Sequence, residues 1–317
     1  MTALREGLVL RGDAKVYHVE IEGETIQAAP RGKLFENLGQ LKSPVAVGDS
    51  VLVSLEGDPP GVEEVLPRNN YLSRVASSHD PREQVLVSNV DQLIVVGSLK
   101  TPGFSSNRTD RILAACQWSE IPAVVLLNKV DLDKDGEAEF VRETYEAAGY
   151  PVVFTSATED SGLETLRDHL AGKRSVLYGA SGAGKSTLIN ALYGLDLRIG
   201  RISRYWQTGK HTTSYSRLIH IDENTSVIDT PGIRVFRPFG LNQAQLRFLY
   251  PEFMPYQGKC RFPDCKHDHE PGCALADAVE DGELASSRYL SYVEMLDELV
   301  PPPEEVPTVG EDEDPLE

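Results

Sequence analysis

The stretch Gly179-Ala180-Ser181-Gly182-Ala183-Gly184-Lys185-Ser186-Thr187 fits G-x-x-x-x-G-K-[ST], the pattern of a phosphate-binding loop. Apolar residues at 175–178 predict a strand before it, and a one-sided apolar pattern predicts a helix from Lys185 onward. Glycines let the backbone N–H groups converge on phosphate oxygens beside the positive helix end. Lys185 then reaches the β- and γ-phosphates, and the Ser186 hydroxyl takes a Mg²⁺ position. The alternative, a glycine-rich turn with a chance Gly-Lys-Ser, is disfavoured because strand, loop and helix occur together.

Three further apolar runs lie upstream of this loop, at residues 92–97, 123–127 and 152–154. Continuous apolar runs are typical of strands that are covered on both faces of a parallel sheet. Helical patterns at 108–118 and 137–148 lie between them. Strands and helices that alternate at this spacing predict an α/β domain with a doubly wound parallel sheet.

Polar motifs follow two of these strands: Asn128-Lys129-Val130-Asp131 and Thr155-Ser156-Ala157. Ligands bind at the carboxyl ends of strands in such sheets, so we expect both motifs at one edge. A carboxylate at Asp131 can accept from the N1–H and the 2-amino group of guanine, whereas adenine presents neither donor. We expect Asn128 to brace the neighbouring loops and Lys129 to lie along the base. The Ser156-Ala157 segment would supply a backbone N–H to the guanine oxygen.

An apolar hairpin at 218–221 and 226–228 ends in Asp229-Thr230-Pro231-Gly232. Asp-x-x-Gly after an apolar strand is typical of the Mg²⁺ and γ-phosphate sensor of GTPases. Asp229 can hold the metal through a water molecule, and the Gly232 N–H can donate to the γ-phosphate. The motif therefore predicts the metal side of the same nucleotide site.

Charge is segregated along the chain, whose net charge is −18 over 317 residues. Such a balance ordinarily argues against a nucleic-acid partner. The segment 198–217, however, carries basic residues and no acidic one, whereas the tail from residue 301 is acidic and expected to be disordered. The basic segment is either a surface for nucleic acid or a solvated loop.

Because the chain lacks an 18-residue apolar run and an apolar leader, we expect a cytoplasmic protein.

Residues 1–72 have the pattern of short β-strands, with alternating segments at 16–21, 25–28, 49–55 and 61–66. Turn residues separate the segments, and about five strands in such a length suit a small closed barrel of the oligonucleotide-binding (OB) type. Arg31 and Lys33 lie in one of the turns. They are either phosphate contacts or part of a solvated turn.

Three of the four cysteines crowd into Cys260-x₄-Cys265-x-His267-x₅-Cys273. Three thiolates and one imidazole are the ligand set of a closed, tetrahedral structural Zn²⁺ site. His269 is an alternative nitrogen ligand, and a redox cysteine pair is disfavoured by the spacing. The isolated Cys116 lies in an apolar helical stretch and is expected to be packed in a core.

The order of the motifs departs from that of ordinary GTPases, in which the phosphate loop comes first. Here 128–131 and 155–157 precede the loop, and 212–213 and 229–232 follow it. A permuted domain of this order, with a barrel before it and a Cys/His cluster after it, resembles the ribosome small-subunit-dependent GTPase A family over about residues 5–300. Two departures are minor. Ser214 stands where a third threonine is frequent, and residues 67–70 are less basic than usual, which weakens an RNA role for Arg68.

The resemblance implies GTP or GDP bound with Mg²⁺, which Ser186, Thr213 and Asp229 would hold. It also adds Thr212 to the nucleotide contacts and favours His267 over His269 as the zinc ligand. Ile233 stands where Ras-type enzymes place a water-orienting glutamine, so intrinsic turnover should be low. His211 is the expected substitute beside Lys185 and Gly232 in the catalytic set, and an RNA contact is the alternative for His211.

We therefore expect an α/β fold: a circularly permuted P-loop GTPase domain, an N-terminal OB-type barrel and a C-terminal helical zinc-binding domain. The expected boundaries are 1–72 for the barrel, 73–84 for a linker, 85–240 for the GTPase, 241–300 for the zinc domain and 301–317 for the tail. Helices are expected at 242–248 and about 281–299 of the zinc domain.

The expected function is that of a GTPase that docks on the small ribosomal subunit and its rRNA during late assembly. GTP hydrolysis, slow alone and stimulated by the subunit, would drive its release. We expect a monomer that needs no membrane. A small-molecule kinase is a rival that leaves Asn128, Asp131 and the barrel unexplained. A binding factor with structural GTP is a second rival.

Overall fold

The computed structural model describes residues 4–13, 16–36, 38–194, 216–230 and 236–299. The strands are β1 (Leu4–Asp13), β2 (Val16–Ile21), β3 (Glu24–Pro30), β4 (Ser50–Ser54), β5 (Gly61–Val65), β6 (Tyr71–Ser77), β7 (Asp80–Ser88), β8 (Gln92–Ser98), β9 (Ala123–Asn128), β10 (Val152–Thr155), β11 (Arg174–Gly179), β12 (Arg217–His220) and β13 (Ser226–Asp229). The α-helices are α1 (Lys33–Glu36), α2 (Ser106–Trp118), α3 (Glu137–Ala147), α4 (Leu163–Leu170), α5 (Lys185–Tyr193), α6 (Gln243–Leu246), α7 (Ala274–Glu280) and α8 (Ser286–Glu298). Within these ranges, no helix has the length and apolar character that a membrane crossing requires.

The central sheet runs in the order β10-β9-β8-β11-β13-β12, and all its pairs are parallel except β12 with β13. Side chains of α2 and α3 pack in one core with alternate strand residues such as Val95 and Val176. Side chains of α4 and α5 pack in a second core with the intervening residues, such as Ile94 and Leu177. Helices therefore cover both faces, which confirms the doubly wound α/β prediction.

The N-terminal strands close into a barrel, because they run in the order β1-β2-β3-β5-β4 and β1 also pairs with β4. The short α1 lies between β3 and β4. Buried valines fill the interior, among them Val9, Val19 and Val51. This confirms the small closed barrel. The pattern at 16–66 predicted β2 to β5 well, whereas β1 was not identified as a strand.

The barrel contacts both the central sheet and strand β7. Strand β1 pairs with the edge strand β12 at Arg11 and Arg217. The fully buried Asp49 accepts hydrogen bonds from Arg68 at 2.7 and 2.8 Å and from Ser88 Oγ at 2.5 Å. The Ser88 bond to Asp49 ties the barrel to β7. Arg68 is committed to the buried ion pair with Asp49, which disfavours an RNA contact for it.

Residues 73–84, expected to be a polar linker, lie in an ordered antiparallel hairpin of β6 and β7. The Val75 N–H also donates to the Arg237 carbonyl at 2.9 Å, so the hairpin contacts the chain that follows the nucleotide motifs. The connection between barrel and sheet is thus a structured element. The domain boundaries given above stay a prediction.

The C-terminal helices form their own core of large apolar side chains, which includes Tyr250, Phe253 and Tyr292. The helix expected at 242–248 is the short α6 continued by a 3₁₀ turn at Arg247–Leu249. The helix expected at about 281–299 begins later, as α8, and α7 precedes it. Ala114 of α2 belongs to the same core, so this unit packs directly on helix α2.

Candidate nucleotide and metal sites

The phosphate-binding loop lies where the sequence predicts it, between β11 and α5. Gly182 and Gly184 have positive φ angles of 86° and 99°, a conformation that favours glycine. A Cβ atom at Gly179 would lie 2.3 Å from the Val96 carbonyl oxygen, so this position has no space for a side chain. The glycines of the motif are therefore required by backbone shape and close approach.

Lys185 and Asp229 face each other across the phosphate side of the site. The Lys185 ammonium donates to the carbonyls of Gly179 and Ala180, at 2.6 and 3.3 Å. Burial lowers the pKa of Lys185, and the nearby Asp229 opposes that shift. Burial likewise raises the pKa of the Asp229 carboxyl, and Lys185 opposes it. The buried Asp229 Oδ1 has no hydrogen-bond partner among the described residues. This half of the site thus holds two partly desolvated groups of opposite charge.

The base side is braced by hydrogen bonds. The Asn128 amide donates to the Ala183 carbonyl in the phosphate loop at 2.9 Å. Its oxygen accepts from the Thr155 hydroxyl at the end of β10, at 3.1 Å. A Cβ at Gly184 would lie 2.2 Å from the Asn128 amide nitrogen. Asn128 therefore joins three loops, as the sequence predicts, and Thr155 is a contact that the sequence analysis did not assign.

Lys129 and Asp131 line the same edge. The Lys129 ammonium donates to the carbonyls of Thr101 and Gly182, at 2.5 and 2.7 Å. The Ser156 hydroxyl donates to Asp131 Oδ1 at 2.6 Å. The Ser156 backbone N–H donates to the Ser161 carbonyl at 2.9 Å, so the N–H that can serve a base oxygen is that of Ala157. Val130 begins the 3₁₀ turn Val130–Leu132 that carries Asp131.

The loop at residues 99–105 forms a further wall that the sequence analysis missed. Thr101 supplies the carbonyl for Lys129, and Pro102 lies 3.5 Å from where a Cβ of Gly182 would be. Phe104 packs against Gly97 at the end of β8. A cavity of about 40 Å³ separates this loop from the phosphate loop. Only the proline and glycine of the loop hint at its role in the sequence, because its contacts are to distant residues.

Several predicted site residues lie outside the described residues. These are His211, Thr212 and Thr213 of the basic segment, and Gly232 of the Asp-x-x-Gly motif. The remaining predicted nucleotide residues, from Asn128 to Asp229, are brought to the carboxyl edge of the strands β8 to β11 and β13. Ser186 and Thr187 are in the first turn of α5, directly after Lys185.

The cysteine and histidine motif converges on one point. The donor atoms of Cys260, Cys265, His267 and Cys273 all lie within 4.8 Å of one another. His267 Nδ1 lies 3.4 to 3.5 Å from the three sulfur atoms. A tetrahedron with Zn–S bonds of about 2.3 Å and a Zn–N bond of about 2.0–2.1 Å has S···N edges of about 3.5 Å. The cluster is therefore compatible with a tetrahedral zinc site.

Two residues near the cluster, His269 and Glu270, indicate which histidine is the better candidate for the nitrogen ligand. His269 is exposed and pairs with Asp268 at 2.7 Å, away from the sulfurs. Glu270 accepts from the N–H groups of Lys266 and Asp268, on either side of His267, at 2.8 and 2.7 Å. His267 has a φ of 63°, so these bonds hold a backbone turn that few residues adopt. The geometry therefore favours His267 as the nitrogen donor.

Arg31 and Lys33 of the barrel both lie beside Glu63, at 3.4 and 3.3 Å. Arg31 also donates to the Glu56 carbonyl at 3.1 Å. The acidic partner offsets part of the positive charge of this turn. The pairing favours the solvated-turn interpretation over a phosphate contact.

Comparisons with known proteins agree with this geometry. The model of the RsgA GTPase family matches residues 65–238. The chain is similar to the small ribosomal subunit biogenesis GTPase RsgA of Gemmatimonas aurantiaca, at 37% identity over 95% of this chain and 99% of that protein. It is also similar to the small ribosomal subunit biogenesis GTPase RsgA 2 of Bacteroides thetaiotaomicron, at 34% identity over 92% of this chain and 96% of that protein.

Two solved structures are similar over nearly their whole length. YjeQ from Thermotoga maritima has a TM-score of 0.68 and 34% identity, covering 95% of this chain and 100% of that chain. YloQ, described as a circularly permuted GTPase, has a TM-score of 0.65 and 29% identity, covering 94% of this chain and 95% of that chain. The permuted motif order is thus shared with a solved GTPase.

Proposed function

The chain belongs to the RsgA GTPase family and is a GTP hydrolase, and from this premise we propose that it acts in late assembly of the small ribosomal subunit. In this proposal it binds the subunit and its rRNA with GTP bound, and hydrolysis to GDP and phosphate drives its release. It would work as a monomer in the cytoplasm. The observation that carries the proposal is the convergence of Asn128, Asp131, Lys185 and Asp229 on one sheet edge, in a chain that also has the barrel and the cysteine cluster.

The base side would select guanine. The Ser156 hydroxyl donates to Asp131 Oδ1 and orients the carboxylate, whose two oxygens keep lone pairs that would accept from the N1–H and the 2-amino group. Lys129 lies between Thr101 and the phosphate loop, where a base can rest along its methylene chain. The Ala157 N–H would donate to the guanine oxygen. In this proposal these roles would make GTP bind more tightly than ATP.

The phosphate side would carry the chemistry. Lys185 would exchange its two carbonyl partners for the β- and γ-phosphates. Ser186, Thr213 and Asp229 would hold Mg²⁺, which neutralises the charge that develops on the phosphates. Gly232 would donate its N–H to the γ-phosphate, and Thr212 and Thr213 would border it. His211 would orient the attacking water, with an RNA contact as its alternative.

Turnover of GTP with and without small ribosomal subunits tests the proposal. We expect slow hydrolysis by the protein alone and a large increase with subunits, because a partner-dependent GTPase completes its site on binding. Lys185→Met is the matched control, since it reports any hydrolysis that contaminates the subunit preparation. Equal turnover with and without subunits would remove the ribosomal part of the proposal. Binding of subunits without turnover would favour the structural role for GTP.

His211→Ala separates the two roles of that residue. If His211 orients water, the variant binds subunits as tightly as the unmodified protein in the presence of a non-hydrolysable GTP analogue but loses stimulated turnover. If it contacts RNA, binding weakens in proportion to turnover. Sedimentation of the protein with subunits measures the first quantity, and phosphate release measures the second.

We also propose one structural Zn²⁺ per chain, held by Cys260, Cys265, His267 and Cys273. The S···N distances of 3.4 to 3.5 Å support a closed tetrahedral set. Elemental analysis of freshly prepared protein should give one zinc per chain. Cys265→Ser should lose the metal and the protease resistance of the region around 255–280, while GDP binding stays measurable. His269→Gln is the matched control and should keep the zinc; zinc-free unmodified protein would contradict the assignment.

A further inference from the structure

The buried guanidinium of Arg288 is one of the groups that join the C-terminal unit to the GTPase domain; the Arg111–Glu298 ion pair is another. Arg288 of α8 is 2% exposed and donates to Glu252 at 2.7 Å and to Asp110 at 2.7 Å. Glu252 belongs to the C-terminal unit, whereas Asp110 is in α2 of the GTPase domain. A charge that is taken out of water is tolerated only with well-placed partners, so Arg288 constrains where α2 lies.

Asp110 also contacts the interior of the GTPase domain. The same carboxylate oxygen that accepts from Arg288 also accepts from the Tyr145 hydroxyl of α3, at 2.8 Å. The Tyr145 ring packs edge-to-face on Phe104, with ring centroids 5.8 Å apart. Phe104 in turn fills the space above Gly97, where a Cβ would lie 2.8 Å from its ring. These packed groups lead from the C-terminal unit to the loop at 99–105.

That loop contacts the guanine side of the nucleotide site. Its Thr101 carbonyl accepts from the Lys129 ammonium, which also donates to Gly182 of the phosphate loop. Ser105, at the end of the loop, caps the N-terminus of α2. A displacement of α2 would therefore move the carbonyl that holds Lys129.

We propose that Arg288 is a positioning residue for guanine-nucleotide binding. By holding Asp110, it keeps α2 and the 99–105 loop where Lys129 is pre-organised for the base, so the docked C-terminal unit slows nucleotide release. The inference rests on the proposed role of Lys129 along the base. Coupling of two sites is reciprocal, so bound nucleotide should also favour docking of the C-terminal unit. A line of contacts does not by itself establish coupling, so a measured coupling has to test the proposal.

Two conservative variants of the full-length protein separate positioning from simple stabilisation. Asp110→Asn weakens the link between Arg288 and α2 and keeps the shape of the side chain. Glu252→Gln weakens the other partner of the same guanidinium, which lies inside the C-terminal unit. Both variants should lower the unfolding temperature. Only Asp110→Asn should accelerate release of a fluorescent GDP analogue, by about threefold to tenfold, whereas Glu252→Gln should stay within about twofold of the unmodified protein.

Amide hydrogen exchange of the unmodified protein gives a second test that needs no variant. Saturating GDP should slow exchange in Ser286–Glu298, and inorganic phosphate alone should not, because the coupling runs through the base side. The proposal would be overturned if Asp110→Asn released GDP at the same rate as the unmodified protein, or if both variants accelerated release equally. It would also be overturned if GDP did not change amide exchange in α8. Absence of GDP binding to the unmodified protein would instead contradict the proposed function, so the two failures are distinguishable.

Discussion

The two halves of the nucleotide site differ in how complete they are without a ligand. On the base side, Asn128 and Asp131 each have a defined partner, Thr155 and Ser156 respectively, and Asn128 also bonds the phosphate loop. On the phosphate side, Lys185 bonds carbonyls of its own loop, and Asp229 Oδ1 has no partner among the described residues. The proposed base side is thus ordered by hydrogen bonds between protein groups, whereas on the proposed phosphate side one oxygen of the buried Asp229 carboxylate has no such partner among the described residues.

This difference has a physical cause. A neutral amide or a hydroxyl-bonded carboxylate can be satisfied by neighbouring side chains at little cost, and it gains selectivity from being rigid. A lysine and an aspartate that serve triphosphate and Mg²⁺ must instead be partly desolvated and free to exchange partners. Burial accordingly lowers the pKa of Lys185 and raises the pKa of Asp229.

The largest effect is expected on the phosphate side, for Lys185→Met. Loss of the ammonium removes the charge that stabilises the transferring phosphoryl group, so turnover should fall by about 10² to 10³. Phosphate release under saturating GTP measures this. Lys173→Met is the matched control, because Lys173 precedes the same strand at its far end and its ammonium donates to the Gln92 side chain there. Turnover within a few-fold of the unmodified protein would mean that Lys185 does not meet the phosphates.

A smaller effect is expected on the base side, for Asp131→Asn. The variant loses an ionised acceptor for two guanine donors, worth about 1.5–3 kcal/mol, so GTP affinity should fall by about 10- to 100-fold. Affinity for xanthosine triphosphate should rise, because an amide can donate to the oxo group that replaces the 2-amino group. Titrations with both nucleotides measure the exchange of preference. Asp135→Asn, at an exposed position nearby, should bind both as the unmodified protein does.

Much of the fold and of the nucleotide site could be predicted from sequence, because each motif is a local pattern with a chemical meaning. The phosphate loop, Asn128 to Asp131 and the cysteine cluster each occupy one short stretch of sequence, and strand propensity places the first two at strand ends. The doubly wound sheet followed from apolar runs of the right length. Strand β1 was missed. Residues 73–84, expected to be a linker, lie in the hairpin of β6 and β7, because the polar residues at its centre gave no strand pattern.

Contacts between distant residues could not be predicted in the same way. Thr101 and Lys129 are separated by a strand and a helix, and Asp110 and Arg288 by most of the chain. Nothing in a local pattern marks an arginine as buried, since arginine is exposed in most proteins. Only the packing of α8 on α2 reveals that Arg288 is held between two carboxylates.

Asp229→Asn should stabilise the metal-free protein, although it impairs Mg²⁺ binding. Because burial raises the folded-state pKa of Asp229 above 3.8, its favourable contribution is complete below 3.8 and is lost as pH rises through the raised pKa. Because asparagine does not ionise, the free energy of unfolding of the variant should exceed that of the unmodified protein at neutral pH, by on the order of 1 kcal/mol, and the difference should vanish in acid. Urea unfolding in chelator at several pH values measures it.

Asp222→Asn in the same hairpin is the control of opposite sign. Backbone N–H groups of Asn224 and Thr225 donate to Asp222 and lower its pKa. Its stabilising contribution is therefore present above pH 3.8 and lost as pH falls through the lowered pKa. This variant should be less stable than the unmodified protein at neutral pH. Equal pH dependence for both variants would show that Asp229 is not under electrostatic stress.

The smallest effect is expected for Thr155→Val, which probes the bracing of the base side. Valine keeps the shape of the side chain but removes the hydroxyl that donates to Asn128 Oδ1 at 3.1 Å. The buried amide oxygen then lacks that donor, at a cost of about 1 kcal/mol, and the amide is less firmly held against Ala183. Release of a fluorescent GDP analogue should accelerate about fivefold, the equivalent of that energy. Thr144→Val is the matched control, because the Thr144 hydroxyl donates to the Phe140 carbonyl within α3, away from the base side. If both variants release GDP at the unmodified rate, the base side owes its order to the backbone alone, and the contrast between the two halves lies in the charged groups.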